Sequence, residues 1–276
     1  MEILPPARIL EYSADIGALK TGRRFLSTVI LAFLAGAFIA FGAEGSTMAA
    51  SGLLSAPETY GLGRALAGAV FGVGLMLVLT AGGELFTGNC LIITGVLAKK
   101  TPVSKMLANW LIVYLGNFAG GLCIAWLMYV SGLFSAGGDL VGGVTLRIAE
   151  GKTALSFWPA FVQGLLCNWL VCLAVWVSFA SKEIPGKLLA CFFVIFLFVT
   201  SGFEHCIANM YYVPAGIFAK TNEAWAAASG LSSARLEGLN WAAFFVKNLL
   251  PVTLGNIAGG SGMVGGLYWL GLNVKE

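Results

Sequence analysis

The sequence predicts an all-α integral membrane protein with six transmembrane spans. Hydrophobic residues make up 58% of the 276 positions and charged residues only 11%, and the mean hydropathy is +0.87. A water-soluble domain of this length could not bury so much apolar surface and keep a wettable exterior. We therefore expect one transmembrane domain over residues 1–276. Crossing a bilayer takes about 20 apolar residues, and six runs are long enough: about 25–50, 62–97, 106–133, 155–180, 187–218 and 241–272.

The charge distribution indicates how these spans are oriented. The net charge of +3 is too small to indicate a nucleic-acid partner. If both termini are cytoplasmic, six of the 16 Lys and Arg residues lie outside and the other ten inside, as the positive-inside rule requires. We expect a multi-pass protein of the inner or plasma membrane, with residues 1–24 as a cytoplasmic segment that is either an amphipathic gate or an interfacial anchor. The six outer residues are Arg64, Arg147, Lys152, Lys220, Arg235 and Lys247.

The cysteines do not indicate a disulfide framework or a metal site. All six lie inside apolar runs, and no two form a CxxC pair. In such runs cysteine packs as a small hydrophobic residue, so we expect neither a cofactor nor a metal. The six are Cys90, Cys123, Cys167, Cys172, Cys191 and Cys206.

Two of the six runs are too long for one straight crossing. The second contains residues 82–84 (GGE) at its middle, and the fifth contains residues 201–205 (SGFEH). Glycine and charged residues both weaken an apolar helix at such a position. We expect each of these runs to form two half-helices joined by a short non-helical segment.

The two interrupted runs resemble each other in sequence. Residues 84–89 (ELFTGN) and 204–209 (EHCIAN) both begin with Glu and end with Asn. In the next run along the chain, residues 115–121 (LGNFAGG) match residues 254–260 (LGNIAGG). Two matches in the same order favour a duplication of three spans.

The duplication predicts an inverted repeat. Repeat one covers about 25–133 and repeat two about 155–272. Because each copy has an odd number of spans, the second crosses the membrane in the opposite sense, and the interrupted helices face each other near the midplane. Broken backbone persists at that depth only inside protein or along a wet cavity. The repeat therefore predicts a permeation path.

Acidic residues at the two breaks are candidates for stabilising the loops. Glu84 and Glu204 are each followed five positions later by an asparagine, Asn89 or Asn209. A carboxylate beside a break can accept the free N–H groups of the following half-helix and lies near its positive end. We expect these glutamates to hold the loops in shape without contacting a substrate.

His205 is the chain's single histidine, and it lies on the second break. Imidazole changes charge near neutral pH, so His205 could hold an anion or give it a proton. Thr87 occupies the matching region of the first break, and its hydroxyl could donate to an anion, orient His205 or cap the half-helix.

Other candidates lie in the apolar runs beside the breaks. Asn168 is in the middle of the fourth run, where a buried amide needs partners, and it could either bond an interrupted loop or line the pore. Phe71, Leu75, Leu85 and Phe198 could be ordinary packing residues or constrictions that exclude water and ions.

At these positions the chain resembles the formate/nitrite transporter family, which contains formate, nitrite and hydrosulfide channels. The matching pieces fall in order in four of the six runs, and the resemblance extends over nearly the whole chain. They are residues 83–89 (GELFTGN), 164–174 (GLLCNWLVCLA), 202–209 (GFEHCIAN) and 253–256 (TLGN).

The resemblance implies a fold and an assembly. It implies an aquaporin-like protomer of six spans in which spans 2 and 5 are interrupted. It also implies a homopentamer with one pore in each protomer. The break in span 2 becomes the family's mobile loop, with Thr87 at its end.

The resemblance also implies roles for the candidate residues. His205 becomes the pore histidine, with Asn168 joining it to the mobile loop and Lys152 in the outer vestibule. Constrictions follow on either side, the outer one formed by Phe71 and Phe198 and the inner one by Leu75 and Leu85.

Together these features predict a channel for small monovalent weak-acid anions. Formate is the first choice of substrate, with nitrite and hydrosulfide as alternatives. Lys152 and the positive half-helix ends near Asn89 and Asn209 would draw in the anion. Protonation by His205, or by a water it orients, would give a neutral acid that avoids the desolvation cost of an anion. Both a passive channel and proton co-transport fit this scheme.

Two other functions fit the sequence less well. A neutral-solute pore of the aquaporin kind has Asn-Pro-Ala motifs at its half-helix starts, whereas this chain has Gly-Asn-Cys around Asn89 and Ala-Asn-Met around Asn209. A membrane-embedded enzyme would need a metal-ligand cluster or a nucleophile paired with a base. A single histidine and scattered cysteines disfavour that class, so we expect no enzymatic activity.

Overall fold

The computed structural model describes residues 3–273, and all of their regular structure is helical. A helix at Pro6–Thr21, called here the N-terminal helix, precedes span 1. A 3-10 turn at Pro57–Thr59 leads into span 2. The first three spans comprise Phe25–Leu54 for span 1, Tyr60–Leu77 and Phe86–Leu97 for the two halves of span 2, and Val103–Ser131 for span 3.

The second half of the chain repeats this order. After a 3-10 turn at Leu133–Ser135, a helix at Leu140–Thr153, called here the linker helix, precedes span 4 at Phe157–Ala180. Span 5 has halves at Ile184–Ser201 and Cys206–Ala219. Two short helices, Glu223–Ser229 and Ser233–Gly238, then lead to span 6.

Span 6 changes its helical hydrogen bonding several times along its length. It is α-helical at Trp241–Ala243, Leu250–Ile257 and Leu267–Asn273. Wider π-helical turns occupy Phe244–Leu249 and Ala258–Gly266. Turns of this kind cluster at functional sites. The first of them carries Asn248, which reaches the break in span 5 as described below.

The predicted all-helical membrane architecture is confirmed. Within the described residues, five helices are long and apolar enough to cross a membrane, and the shorter apolar helices Phe86–Leu97 and Cys206–Ala219 complete the interrupted spans. The linker helix and the two short helices after span 5 give regular structure to the segments between spans as well. Lys275, one of the basic residues used to predict orientation, lies outside the described residues.

Both breaks occur where the sequence predicts them. Span 2 widens into a π-helical turn at Val78–Gly82 and then loses helical structure over residues 83–85. The first half of span 5 ends at Ser201, and residues 203–205 are non-helical. Gly82 and Gly202 have φ values of +94° and +84°, a conformation that side chains with a Cβ rarely adopt. These glycines allow the chain to turn out of the helix.

One asparagine holds each break against the neighbouring spans. At the first break, Asn117 of span 3 accepts a hydrogen bond from the Phe86 N–H (2.9 Å) and donates to the carbonyls of Ala32 (2.7 Å) and Glu84 (2.9 Å). Buried backbone groups need such partners because an unpaired one is costly.

Asn256 of span 6 makes the equivalent set of bonds at the second break. It accepts from the Cys206 N–H (2.9 Å) and donates to the carbonyls of Gly164 (2.7 Å) and Glu204 (3.0 Å). These two asparagines occupy the matching LGN positions of the two halves. The correspondence is consistent with the inverted repeat, and the N-terminal and linker helices extend it beyond the three spans of each copy.

Candidate permeation site

A side-chain hydrogen bond joins the two breaks. The Nε2 atom of His205 lies 2.9 Å from the Thr87 hydroxyl, and both residues are buried. The other ring nitrogen, Nδ1, accepts a hydrogen bond from the Ala208 N–H (3.0 Å) and so caps the second half of span 5. A neutral imidazole carries one N–H. Because Nδ1 is an acceptor, that proton lies on Nε2 and points at the Thr87 oxygen.

Asn168 supports this pair from behind. Its side chain is fully buried and donates to the carbonyls of Asn256 (2.7 Å) and Thr87 (3.2 Å). The Cys172 thiol donates to the same Thr87 carbonyl (3.2 Å). Of the two roles open to Asn168 on sequence grounds, this geometry favours bonding to the interrupted loop.

Glu204 anchors a polar cluster beside the second break. Its carboxylate accepts from the Lys152 ammonium (2.7 Å), the Asn209 amide (2.6 Å) and the Asn248 amide (3.2 Å). Asn248 also donates to the backbone carbonyl of Lys152 (3.0 Å) and accepts from Asn209 (2.8 Å). This asparagine therefore connects the linker helix to the break.

Glu84 anchors the corresponding cluster beside the first break. Its carboxylate accepts from the Asn89 amide (2.7 Å) and the Lys20 ammonium (3.2 Å), and Arg23 lies 3.5 Å away. Lys20 also donates to the Asn89 side-chain oxygen (2.6 Å), and Asn89 donates to Asn109 (2.9 Å). Lys20 lies in the last turn of the N-terminal helix, as Lys152 does in the linker helix.

These contacts correct one expectation from the sequence. The glutamates were expected to accept the free N–H groups of the following half-helices. Instead, Asn117 binds the N–H of Phe86, Asn256 that of Cys206 and His205 that of Ala208. The carboxylates of Glu84 and Glu204 hold asparagine amides and cationic side chains.

A cavity of about 560 Å³ opens beside His205 on the side of the linker helix; we call it the linker-side cavity. Glu204 and Lys152 lie on its wall, together with Phe71 and Phe198. The rings of these two phenylalanines meet edge to face with their centroids 5.6 Å apart, and the Phe198 centroid is 6.0 Å from that of His205. The two predicted aromatic constriction residues thus lie together next to the histidine.

A smaller cavity of about 80 Å³ lies on the side of the N-terminal helix; we call it the N-helix-side cavity. Leu75 and Leu85 lie on its wall, and both are almost fully buried. Lys20 and Asn89 also line it. The predicted aliphatic constriction residues therefore lie beside a second cavity, which has its own lysine.

Sequence reasoning missed five of the polar residues that hold this site. Lys20, Asn109, Asn248 and the pairing of Asn117 with Asn256 were not assigned roles. A weak signal was present for Lys20, because a Lys-Thr dipeptide ends both the N-terminal helix and the linker helix. A clearer signal marks Asn109 and Asn248, because each lies eight residues before the LGN asparagine of its repeat, and residues 109–117 (NWLIVYLGN) match residues 248–256 (NLLPVTLGN) at six of nine positions.

Comparison with known proteins identifies the family. Residues 7–270 match the family described as formate/nitrite transporter. A probable formate transporter of Methanothermobacter thermautotrophicus is 39% identical over 278 residues, covering 96% of this chain and 95% of that protein. The formate channel FocA of Haemophilus influenzae is 37% identical over 265 residues, covering 95% of this chain and 92% of that protein.

Solved structures agree with the sequence comparisons. A pentameric formate channel with formate bound superposes with a TM-score of 0.80 at 37% identity, covering 90% of this chain and 97% of that one. An ion channel of the FNT family gives a TM-score of 0.80 at 29% identity, covering 96% and 99%. The resemblance seen in the sequence motifs is confirmed. This chain belongs to the formate/nitrite transporter family and is a membrane transport protein, not an enzyme.

Proposed function

We propose that this chain forms a channel for small monovalent weak-acid anions, with formate as the first candidate substrate. Relatives that share 34–39% of its residues are named as formate channels or transporters, and a similar structure is described as a pentamer with formate bound. The same support favours a homopentamer with one pore in each protomer. Nitrite and hydrosulfide are the alternative substrates within the family.

The observation that carries the proposal is the arrangement of polar and apolar groups along the path. The linker-side and N-helix-side cavities each have a lysine on the wall. The buried His205–Thr87 pair belongs to the two breaks, with Phe71 and Phe198 on one side and Leu75 and Leu85 on the other. A hydrated anion is favoured in the cavities, but it faces a large desolvation cost at the apolar rings and side chains.

Proton transfer beside His205 removes the cost of desolvating the anion at these apolar side chains. A proton moves from the imidazolium form of His205 to the anion, which gives a neutral acid and a neutral ring. If a water that His205 orients is the direct donor, the imidazolium returns a proton to that water, so the products are the same. A second ring proton, on Nδ1, would displace the Ala208 N–H that is bound there. The charged ring is therefore held less well than the neutral ring, and it returns its proton readily to a nearby anion.

The path has a proposed orientation in the cell. The positive-inside rule assigns the N-terminal helix, with Lys20 and Arg23, to the cytoplasmic side. The linker-side cavity with Lys152 then faces outward, because three spans separate the two helices. A reporter fused to the C-terminus that is active only in the cytoplasm tests this assignment, and activity of a periplasmic reporter there would contradict it.

A flux panel tests the proposed function. Purified protein in liposomes is supplied with formate, nitrite or hydrosulfide at two pH values, and protein-free liposomes give the background. We expect saturable formate uptake that rises toward acidic pH. Unchanged rate and pH dependence in His205→Phe would show that the histidine has no part in the proton transfer, and uptake of glycerol with no anion flux would favour a neutral-solute pore.

A further inference from the structure

The linker-side cavity carries more positive charge than one small anion needs. Its wall includes Lys152, Arg64 and Arg147 as cations and Glu204 as an anion. Lys152 is paired with Glu204 at 2.7 Å. The charges of the two arginines are therefore left in excess.

Among residues 3–273, the hydrogen-bond partners of the Arg64 side chain are all neutral groups. Its guanidinium donates to the carbonyls of Thr200 (3.3 Å) and Val199 at the end of the first half of span 5. Within the same residues it takes part in no ion pair. The contacts orient the side chain and leave its charge unneutralised.

Arg147 of the linker helix is in the same situation. It donates to the carbonyls of Ala228 and Ser229 (3.3 Å each) and to the Ser55 hydroxyl (2.8 Å), and within residues 3–273 it forms no ion pair. Partial burial lowers the pKa of its guanidinium. An anion beside it would offset that cost, since burying a charge is unfavourable unless it is paired.

The cavity has the size and chemistry of a ligand site. Small-molecule sites commonly enclose about 300–1,000 Å³, and this one encloses about 560 Å³. A guanidinium has five N–H donors in a planar fork that matches a carboxylate. The neutral acceptors described above leave donors unused on each arginine.

We propose that the linker-side cavity binds a small dicarboxylate between Arg64 and Arg147, and that the bound ligand blocks the pore from that side. A monocarboxylate neutralises one guanidinium and leaves the other unpaired, whereas a dicarboxylate neutralises both. Its second charge opposes passage between Phe71 and Phe198. The blocking step rests on the proposed channel function, but the binding step does not.

Binding is tested with two ligands of nearly the same shape. Isothermal titration of the purified oligomer in detergent compares succinate with succinamate at neutral pH and matched ionic strength. Succinamate replaces one carboxylate by a neutral amide. We expect succinate to bind at least about tenfold more tightly, as a charge-assisted hydrogen bond to a second guanidinium implies. Equal affinities would overturn the proposal.

Matched variants assign the site. Arg147→Gln should weaken succinate binding about tenfold and bring it close to that of succinamate. Lys247→Gln removes the same charge from an exposed residue outside the cavity and should leave binding unchanged. Equal affinity of the wild-type and Arg147→Gln proteins would overturn the proposal. If Arg147→Gln does not assemble, Arg64→Gln, which removes the other guanidinium charge, takes its place with the same expected loss.

Block is tested separately in liposomes. Succinate added on the linker-helix side should inhibit formate uptake, and succinamate should inhibit it much less. Succinate binding by a protein that carries no formate would overturn the proposed function and leave the binding site intact. Formate uptake that is insensitive to bound succinate would overturn the blocking step.

Discussion

His205 Nε2 and Thr87 Oγ1 lie 2.9 Å apart, so the two interrupted spans meet through a side-chain hydrogen bond. The Ala208 N–H occupies the other ring nitrogen, and the Thr87 carbonyl is held by Asn168 and Cys172. Each partner is thus positioned by a bond of its own. With its oxygen accepting from the histidine, the Thr87 hydroxyl has its own proton left to donate, and under the proposed function it donates that proton to the anion.

Thr87→Val should separate the hydroxyl's role from that of side-chain volume. Valine has nearly the same shape, but it leaves the buried Nε2–H without an acceptor, which costs about 1–3 kcal/mol. We expect formate uptake to fall about tenfold, equivalent to about 1.4 kcal/mol in the barrier. Uptake into liposomes measures this, with Thr87→Ser as the control that keeps the hydroxyl. Equal uptake by the valine and serine variants would contradict the assigned role.

His205→Asn should separate helix capping from proton transfer. Asparagine is a good N-cap residue and can accept from the Ala208 N–H, whereas phenylalanine cannot, which costs about 0.5–2 kcal/mol. Thermal unfolding should therefore show His205→Asn to be more stable than His205→Phe. Because neither side chain titrates, we expect both variants to lose the acidic rise in formate uptake. Retention of that rise in His205→Asn would show that the proton comes from elsewhere.

The breaks could be predicted from the sequence because their signals are local. Glycines and glutamates stand out inside apolar runs, and Gly82 and Gly202 have the positive φ values that such a break needs. The partners of the glutamate carboxylates, and those of the half-helix N–H groups, could not be predicted in this way. Asn117 accepts from the Phe86 N–H and belongs to another span. Nothing adjacent to Glu84 in the sequence indicates that this N–H already has an acceptor and does not need the Glu84 carboxylate.

The role of Lys20 was hidden for a related reason. It contacts Glu84 across 64 positions of the chain, and it lies in a segment whose charges also suit a membrane anchor. Only the alignment of the N-terminal helix with the linker helix relates Lys20 to Lys152. That alignment follows from their shared contacts and not from their sequences, which have little in common beyond the final Lys-Thr.

Lys152→Met should destabilise the protein through its effect on Glu204. The pair is largely buried, with side-chain exposures of 15% and 5%, and removing one partner of a buried ion pair costs about 3–5 kcal/mol. Adding Glu204→Gln to Lys152→Met removes the unpaired charge and should restore part of the loss. Thermal unfolding of the two single variants and the double variant measures the coupling. Additive effects would contradict a direct interaction.

Lys20→Met should cost less than Lys152→Met, because Glu84 keeps a second cation. Arg23 lies 3.5 Å from the Glu84 carboxylate, whereas Lys152 is the cation that pairs with Glu204 among residues 3–273. Lys20→Met also removes the hydrogen bond that the ammonium donates to the Asn89 oxygen. A hydrogen bond that involves a charged group contributes about 1.5–3 kcal/mol to stability, compared with about 0.5–1.5 kcal/mol for a typical one. Adding Arg23→Gln to Lys20→Met should then bring the total loss close to that of Lys152→Met. Thermal unfolding ranks these variants, with Lys247→Met as the exposed control. If Lys20→Met alone matches Lys152→Met, Arg23 does not compensate, and the two ends of the path depend on their lysines equally.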